Sequence, residues 1–442
     1  MSKDDLNSDV QYHTFGCKVN TYDTGLIQKN LKGLDTEKVS GTKKKIHILN
    51  TCAVTAEATK DAVRLTRRIK RDNPEAIVVV TGCSAQIDKK DFELEDSVDL
   101  LVANSHKEEL KDLLQKKVNG ENLEKFYHKN IFRKSSMGEG GGIEENHSRS
   151  FLKIQDGCDS FCSFCVIPHT RGKSRSLSLE SIVKKIKEFV LNGQKEVVIT
   201  GIHLGDYDDE GRNLEDMVEA ILKETTLPRL RLTSLEPLEL SPRLTEICKS
   251  DRVCSHFHMS VQSVNTKVLA AMKRKYTKED VLESFKRAKS TGTDVFVGMD
   301  VIVGFPGETI DDFNKTYTAL KESPYWDKIH VFPYSERPKT GATLLEGSVP
   351  VMERKRRSKA LRELSKERFQ GSLQKQIGKD LDVLVFEKKE FKGRRNYSQG
   401  LSRNYYPAVF PEGAPEFTEV KAKVIDVDYT LKAEGALICS LK

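Results

Sequence analysis

The 442-residue sequence predicts an α/β protein in three parts: an N-terminal parallel-sheet α/β domain, a central (β/α) partial barrel and a small C-terminal antiparallel β-barrel. Three observations predict it. Near the start, three β-favouring runs each stop at a cysteine: "VQYHTFGC" at Cys17, "KKIHILNTC" at Cys52 and "EAIVVVTGC" at Cys83. In the middle, six strand candidates alternate with amphipathic helical stretches. At the end, "GKDLDVLVFEKK" and "FTEVKAKVIDVDYTLKAEGALICSLK" alternate apolar and polar residues, as half-buried antiparallel strands do.

The first part spans residues 9–118. Its cysteines lie 35 and 31 residues apart, room for a strand, a crossover helix and the return to the next strand. "TYDTGLIQKNLKGL" and "AEATKDAVRLTRRIKRDNP" fill the gaps as helices. Parallel strands would bring all three cysteines to one carboxyl edge, where open α/β sheets bind ligands. A single free cysteine is ordinarily a small buried hydrophobe, but three at equivalent strand ends point to a metal or a sulfur species. Residues 119–147, with "SSMGEGGGIEENHSRS", have little to bury and read as a linker.

The second part, 148–372, opens with "FLKIQDGC" and continues with strand candidates at 195–200, 229–235, 256–262, 295–304 and 329–335. Between them lie helices such as "LESIVKKIKEFVLNG", where Ile182, Ile186, Phe189 and Val190 share one face before Gly193 can end it. In such barrels chemistry sits at the carboxyl ends of the strands. There "DGCDSFCSFC" places Cys158, Cys162 and Cys165 within eight residues. With His169 they make C-x3-C-x2-C-x3-H, a tetrahedral zinc set on paper. Alternatively, three thiolates hold three irons of a four-iron cluster and leave the fourth open. The triplet at a barrel mouth points to the cluster.

The third part, 373–442, follows a basic stretch. Residues 351–375 carry nine Lys or Arg against three Glu, a charge bias that suits RNA contact or a solvated helix face. Lys392, Arg394, Arg395 and Arg403, with Tyr397, Tyr405 and Tyr406, offer the mixture of charge and aromatic rings used for nucleic-acid backbones and bases; a solvated loop is the alternative. The net charge of +7 is a weak pointer to an anionic partner. No apolar run approaches the ~18 residues that span a bilayer, and the start is polar and acidic, so a membrane role is not expected and a cytoplasmic location is. In that setting nine cysteines serve as metal ligands, catalytic thiols or core residues rather than disulfides. Cys248, Cys254 and Cys439 lack paired spacing and read as buried core or harmlessly exposed residues.

At Cys158, Cys162 and Cys165 the sequence resembles the radical S-adenosylmethionine (SAM) superfamily, whose signature is C-x3-C-x2-C with an aromatic before the last cysteine, here Phe164. "TGIHLG" (200–205) sits where that family has a glycine motif receiving the methionine amino group, and "VIVGFPGE" (301–308) resembles its strand-five motif beside the adenine. The resemblance implies that Phe164, Thr200, Gly201, Val303, Gly304, Gly307 and Glu308 surround SAM. Gln262, at the end of the fourth strand, reads as a ribose contact, and His203 as a residue that approaches SAM or serves structure. A three-cysteine α/β domain, such a barrel and a small C-terminal β module, TRAM-like in position, are the arrangement of the methylthiotransferases. "FGCKVNTYDT", "NTCAVT", "GCSAQ", "FCVIPHTRGKSRS", "RLTSLEP" and "HVFPYSERPKTGA" resemble the branch acting on N6-threonylcarbamoyladenosine beside the tRNA anticodon. The branches acting on isopentenyladenosine or on an aspartate of a ribosomal protein match these phrases less well.

That resemblance implies two 4Fe-4S clusters, each one ligand short, and SAM. The cluster on Cys158, Cys162 and Cys165 would cleave SAM to a 5′-deoxyadenosyl radical; the one on Cys17, Cys52 and Cys83 would carry the sulfur that is methylated and passed to adenine C2. It also implies the anticodon stem-loop of tRNA, an electron donor such as flavodoxin or ferredoxin, and a sulfur donor as partners. Arg171 and Arg175 read as contacts to substrate phosphate or the threonyl carboxylate, with ordinary surface arginines as the alternative. The other function classes are a zinc-dependent RNA-binding protein and a radical SAM enzyme of different outcome.

Overall fold

The computed structural model describes residues 9–36, 44–134, 137, 148–386, 389–391, 394–432 and 434–442. The chain divides into two compact units: Met1–Gly142 with Gln155–Ser176 and Ser335–Leu344, and Ile143–Ile154 with Leu177–Tyr334 and Leu345–Lys442. Residues 155–176, which the sequence boundaries leave within the barrel stretch, thus pack with the first unit.

The first unit is built on a parallel sheet of β1 (Val10–Thr14), β2 (Ile46–Thr51), β3 (Ile77–Gly82), β4 (Leu100–Ala103) and β5 (Phe126–Tyr127), in that order. The last strand falls in the stretch whose composition marks it as a linker. β2 and β3 are buried along their whole length, because helices cover both faces. Ile46, Ile48, Ile77 and Val79 pack under α1 (Lys18–Asn30). Leu49, Val78 and Val80 on the opposite face pack under α2 (Ala56–Asp72), α3 (Cys83–Ile87) and α4 (Lys89–Glu93). Helix α5 (Leu110–Val118) returns to the α1 side through Leu113 and Leu114. The alternation of side chains along each strand decides these partners.

Downstream, β6 (Arg149–Lys153) belongs to the second unit, whereas β7 (Gln155–Asp156) pairs with β8 (Arg175–Ser176) in the first and closes the base of the cysteine-rich loop. The second unit continues β6 with β9 (Glu196–Thr200) and β10 (Arg229–Leu232) as one parallel arc. A second arc holds β11 (His256–Gln262), β12 (Phe296–Val303) and β13 (Lys328–Pro333). Parallel bridges at Leu230–Val253 and Leu235–Met259 connect the first arc to residues 253–259, where β11 begins, so the six strands form the expected partial barrel. The helix Leu179–Leu191 buries Ile182, Ile186 and Phe189 as its period requires, and Gly193 beyond it adopts φ +80°.

The C-terminal strands β14 (Asp380–Val385), β15 (Lys389–Phe391), β16 (Arg394–Ser402), β17 (Pro407–Phe410), β18 (Glu419–Asp428) and β19 (Ala436–Leu441) form a closed barrel through β14–β16 pairing, with β15 as a hairpin extension. All its pairs are antiparallel except β17–β19. Phe369, Leu373, Val383, Tyr406 and Phe410 share its core with Phe296 of β12. A buried ion network adds specificity to that junction: Glu196 accepts from Arg229 and Arg231 at 2.8 and 2.9 Å, and Arg229 reaches Glu419 at 2.6 Å. Removing one member of such a network costs about 3–5 kcal/mol. Among the described residues no helix is long and apolar enough to cross a membrane.

Candidate active site

The sheet topology of the first unit delivers its three cysteines as the strand pattern requires. Cys17 caps the N-terminus of α1 after β1, Cys52 follows β2 and Cys83 opens α3 directly after β3. Two of them are reached through glycines that no side-chain-bearing residue replaces cheaply. Gly16 has φ +87°, and a Cβ there would lie 2.6 Å from both Cβ and Sγ of Cys52. Gly82 has φ +95° and ψ −160°, with a Cβ position 2.5 Å from the Thr51 carbonyl oxygen.

Cys17 is exposed, while Cys52 and Cys83 are 5% and 3% exposed. Burial pushes the Cys52 thiol up to about 12; the neighbouring Cys83 and Cys17 thiols push the same way, against the Val54 amide and Arg171. The Val54 N–H donates to Cys52 Sγ at 3.5 Å, and the Asn104 side-chain amide donates to Cys83 Sγ at 3.7 Å. Ala53 and Val166 pack against Cys83 and keep that end of the trio dry. Thiols this buried are poor nucleophiles alone and become thiolates when a cationic metal core binds them.

The second trio sits in a loop of the same unit. Gly157, at φ +76°, has no room for a side chain: a Cβ would fall 1.9 Å from the Lys173 carbonyl oxygen. Next to it the Cys158 N–H donates to the Gly172 carbonyl at 3.1 Å, and the Ser160 N–H donates to Cys158 Sγ at 3.4 Å. The Cys165 N–H donates to the Cys162 carbonyl at 2.9 Å, and Ala342 N–H to Ser163 carbonyl at 2.7 Å. Phe164 lies half-buried between the last two cysteines. Phe161 adopts φ +46°, with its ring against Phe132 and His169.

The geometry speaks against a zinc reading. His169, the fourth zinc ligand on paper, packs edge-on to Phe132 and Phe161 and hydrogen-bonds the Lys339 backbone; burial lowers its pKa. With His169 engaged elsewhere, each set offers three sulfur donors, a chemistry that fits an iron-sulfur group.

Arg171 and Arg175, expected at the substrate, are turned inward. Asp156 accepts from Arg171 at 2.9 Å and from Arg175 at 3.1 Å, and Arg171 is 3% exposed. Arg171, at the end of α6 (Ile167–Arg171), also donates to Asn20 at 2.7 Å and Asp23 at 3.1 Å. Asn20 in turn donates to the Phe15 and Thr51 carbonyls at 2.8 and 3.0 Å, beside Cys17 and Cys52. Sequence reasoning assigned no role to Asn20, Asp23, Asn104 or Asp156. The signal was present in the spacing of Asn20 and Asp23 after Cys17, which puts both on the first turns of α1, but not in what they would meet.

In the second unit Thr200, Gln262 and Val303 are the last residues of β9, β11 and β12, with Gly201 and Gly304 just beyond. Gln262 and Gly304 adopt φ +68° and +72°. The Glu308 carboxylate accepts from the Gly304 amide at 2.5 Å and from Arg357 at 2.6 Å, so it organises the turn; burial raises its pKa against those two bonds. The Gly307 N–H donates to Gly347. His203 lies among Asp206, Glu236 and Glu239, with Asp206 at 2.8 Å. Cys248, Cys254 and Cys439 are all buried.

The basic helix Val351–Gln374 directs much of its charge inward. Arg354 bonds the Val349 and Tyr334 carbonyls, Arg357 bonds Glu308, and Arg368 bonds the Ser323 carbonyl over the Trp326 ring. Lys355, Lys359 and Lys366 remain exposed. Arg403 holds Glu419, Tyr405 stacks on His256, and Tyr397 and Tyr406 are buried, so these four serve the fold of the module. Arg394 and Arg395 begin β16, while Lys392 and the side chains of both arginines lie outside the described residues.

Two family models match the chain: Uncharacterized protein family UPF0004 over residues 9–103 and the Radical SAM superfamily over residues 152–320. A threonylcarbamoyladenosine tRNA methylthiotransferase of Aquifex aeolicus is 37% identical over 390 residues, covering 86% of this chain and 93% of that one. A tRNA-2-methylthio-N(6)-dimethylallyladenosine synthase of Endomicrobium trichonymphae is 31% identical, covering 88% and 92%. Among solved structures, the radical SAM methyltransferase TsrM of Kitasatospora setae shares the fold with a TM-score of 0.56 at 14% identity, covering 75% of this chain and 76% of that one. The superfamily implies one 4Fe-4S cluster and SAM. The chain belongs to the radical SAM methylthiotransferase family, and within it is most like the threonylcarbamoyladenosine tRNA branch.

Proposed function

We propose that the protein methylthiolates carbon 2 of N6-threonylcarbamoyladenosine beside the anticodon of tRNA, using two iron-sulfur clusters. The observation that carries this reading is the presence of two open three-cysteine sets in one compact unit, tied together through Arg171 and Asn20. Relatives named for the threonylcarbamoyladenosine reaction match along nearly the whole chain, which supports the choice of base.

Cys158, Cys162 and Cys165 would hold the cluster that binds SAM, and Cys17, Cys52 and Cys83 the cluster that carries sulfur. When bound, these groups and SAM supply the one-electron chemistry and the methylated sulfur that an unactivated ring C–H requires. The chain's own residues orient and protect them. Gly16, Gly82 and Gly157 turn the backbone so that the sulfurs meet their edge or loop, Ala53 and Val166 exclude water around Cys83, and Asp156 ties the loop base through Arg175. The strand-end residues Thr200, Gly201, Gln262, Val303 and Gly304 would take SAM, with Glu308 fixing their turn. An electron donor of the flavodoxin or ferredoxin class and a sulfur donor complete the reaction.

The test is anaerobic reconstitution with iron and sulfide counting in wild type, Cys17→Ala and Cys158→Ala, followed by nucleoside mass spectrometry of tRNA carrying either modified adenosine. Each variant should lose about half the iron, and wild type should convert the threonylcarbamoyl base. Bound zinc, or one cluster in total, would overturn the two-cluster reading. Conversion of isopentenyladenosine alone would favour the sister branch, to which the dimethylallyladenosine synthases belong by name.

A further inference from the structure

The guanidinium of Arg171 is 3% exposed, and its hydrogen bonds reach two structural elements, β7 and α1. Nη1 donates to Asp156, two residues before Cys158. Nη2 donates to Asn20 and Asp23, three and six residues after Cys17. Asn20 joins this cation to the strand ends themselves, since its amide donates to Phe15 beside Gly16 and to Thr51 beside Cys52. The residue before it contributes as well: the Thr170 carbonyl accepts from Asn104, whose amide also reaches Cys83 Sγ. Asp23 has a second cationic partner in Lys107 at 3.1 Å.

We propose that Arg171 is a positioning residue shared by the two cysteine sets, fixing the Cys158–Cys165 loop against the edge that carries Cys17, Cys52 and Cys83 and placing a buried positive charge beside that edge. The inference rests on the two-cluster reading. The guanidinium stays charged at this depth, as arginines do, and Asp156 and Asp23 accept from it at 2.9 and 3.1 Å. Coulomb attraction in a dry site acts over several ångströms and is weakly screened. Such a charge stabilises every added negative charge on the neighbouring sulfurs, including an electron delivered to a metal core. It therefore raises that core's midpoint potential.

The proposal is separable from a merely structural role by the sign of a measured shift. The background is the full-length chain with Cys158, Cys162 and Cys165 all replaced by Ala, so that only the strand-edge trio can hold a cluster. In it, Arg171→Met and Asp23→Asn are each added, and the midpoint potential is followed by EPR-monitored titration alongside iron and sulfide counts. Removing the cation should move the potential to more negative values. Removing the anion, with the same shape and the acceptor for Arg171 retained, should move it to more positive values. Arg171→Lys should restore most of the potential but not the loop attachment, read as slower SAM cleavage in the protein with all six cysteines. Shifts of the same sign in both variants, or none, would overturn the charge role. If Arg171→Met fails to fold, the Asp23→Asn shift alone decides. A background protein that binds no iron at all would overturn the two-cluster reading and this inference with it.

Discussion

The two cysteine trios are assembled by opposite routes. Cys158, Cys162 and Cys165 are a local set: eight residues of loop, pinned at their base by Gly157 and by the β7–β8 pair. Cys17, Cys52 and Cys83 are a tertiary set, meeting only because β1, β2 and β3 are parallel neighbours in register. What they share is a device at the point of turning. Gly16, Gly82 and Gly157 each precede a cysteine and each has a positive φ. A residue with a Cβ would meet backbone or the partner sulfur there, so the turn that aims the thiol depends on glycine. The difference teaches that the loop site is vulnerable to local change, and the edge site to anything that moves one strand against another.

Four substitutions break or sharpen that contrast, from the largest expected effect downward. Gly157→Ala drives a methyl into the Lys173 carbonyl, so the loop must open. SAM cleavage should fall by ~100-fold or more, as ångström-scale misplacement of reacting groups does, while iron at the strand edge is retained; the readouts are 5′-deoxyadenosine formation and iron counting. Gly16→Ala presses on Cys52 and should reverse the pattern. Methylthiolation should drop ~10-fold or more while SAM cleavage persists.

A smaller effect concerns how the sheet that carries the edge set responds to acid. His47 on β2 lies against His13, with ring nitrogens 3.0 Å apart, and burial first, then the charges of His13 and Lys45, lower its pKa to about 4. Between its ordinary value near 6.5 and 4 the unfolded chain takes up a proton that the folded sheet refuses. Stability of the first unit should therefore fall as pH drops through that window and level off below it, and His47→Gln should flatten the dependence in thermal melts across pH. The smallest effect is a control: Cys439, in the C-terminal core with its thiol pushed up to about 12 by burial, takes no part in either trio. Cys439→Ala should leave iron content unchanged and cost about 1 kcal/mol of stability by denaturant titration.

Much of the architecture was legible before any coordinates. The strand expected at 256–262 is β11 residue for residue, and that at 195–200 is one residue longer than β9. Hydrophobic alternation and helical period depend on which face is buried, a property written locally. Which arginine faces what was not legible. Arg171 and Arg175 read as substrate contacts or surface arginines and instead hold Asp156; Arg354, Arg357 and Arg403 read as RNA-facing or solvated charge and instead bond carbonyls and carboxylates of the fold. A charged side chain carries no mark of its partner, because the partner lies 15 residues away for Arg171 and Asp156 and 148 for Arg171 and Asp23.

By itself the sequence determined where the cysteines fall along the chain, the parallel order implied by the intervals between them, and the succession of fold classes. Those properties follow from residue type and spacing, which act along the chain. The tertiary structure alone decided that the loop trio packs with the strand-edge trio in one unit, and that a single buried arginine touches the framework of both. Such contacts join segments whose ends are closed only by folding, and their geometry is set by how sheet, loop and helix fill space together.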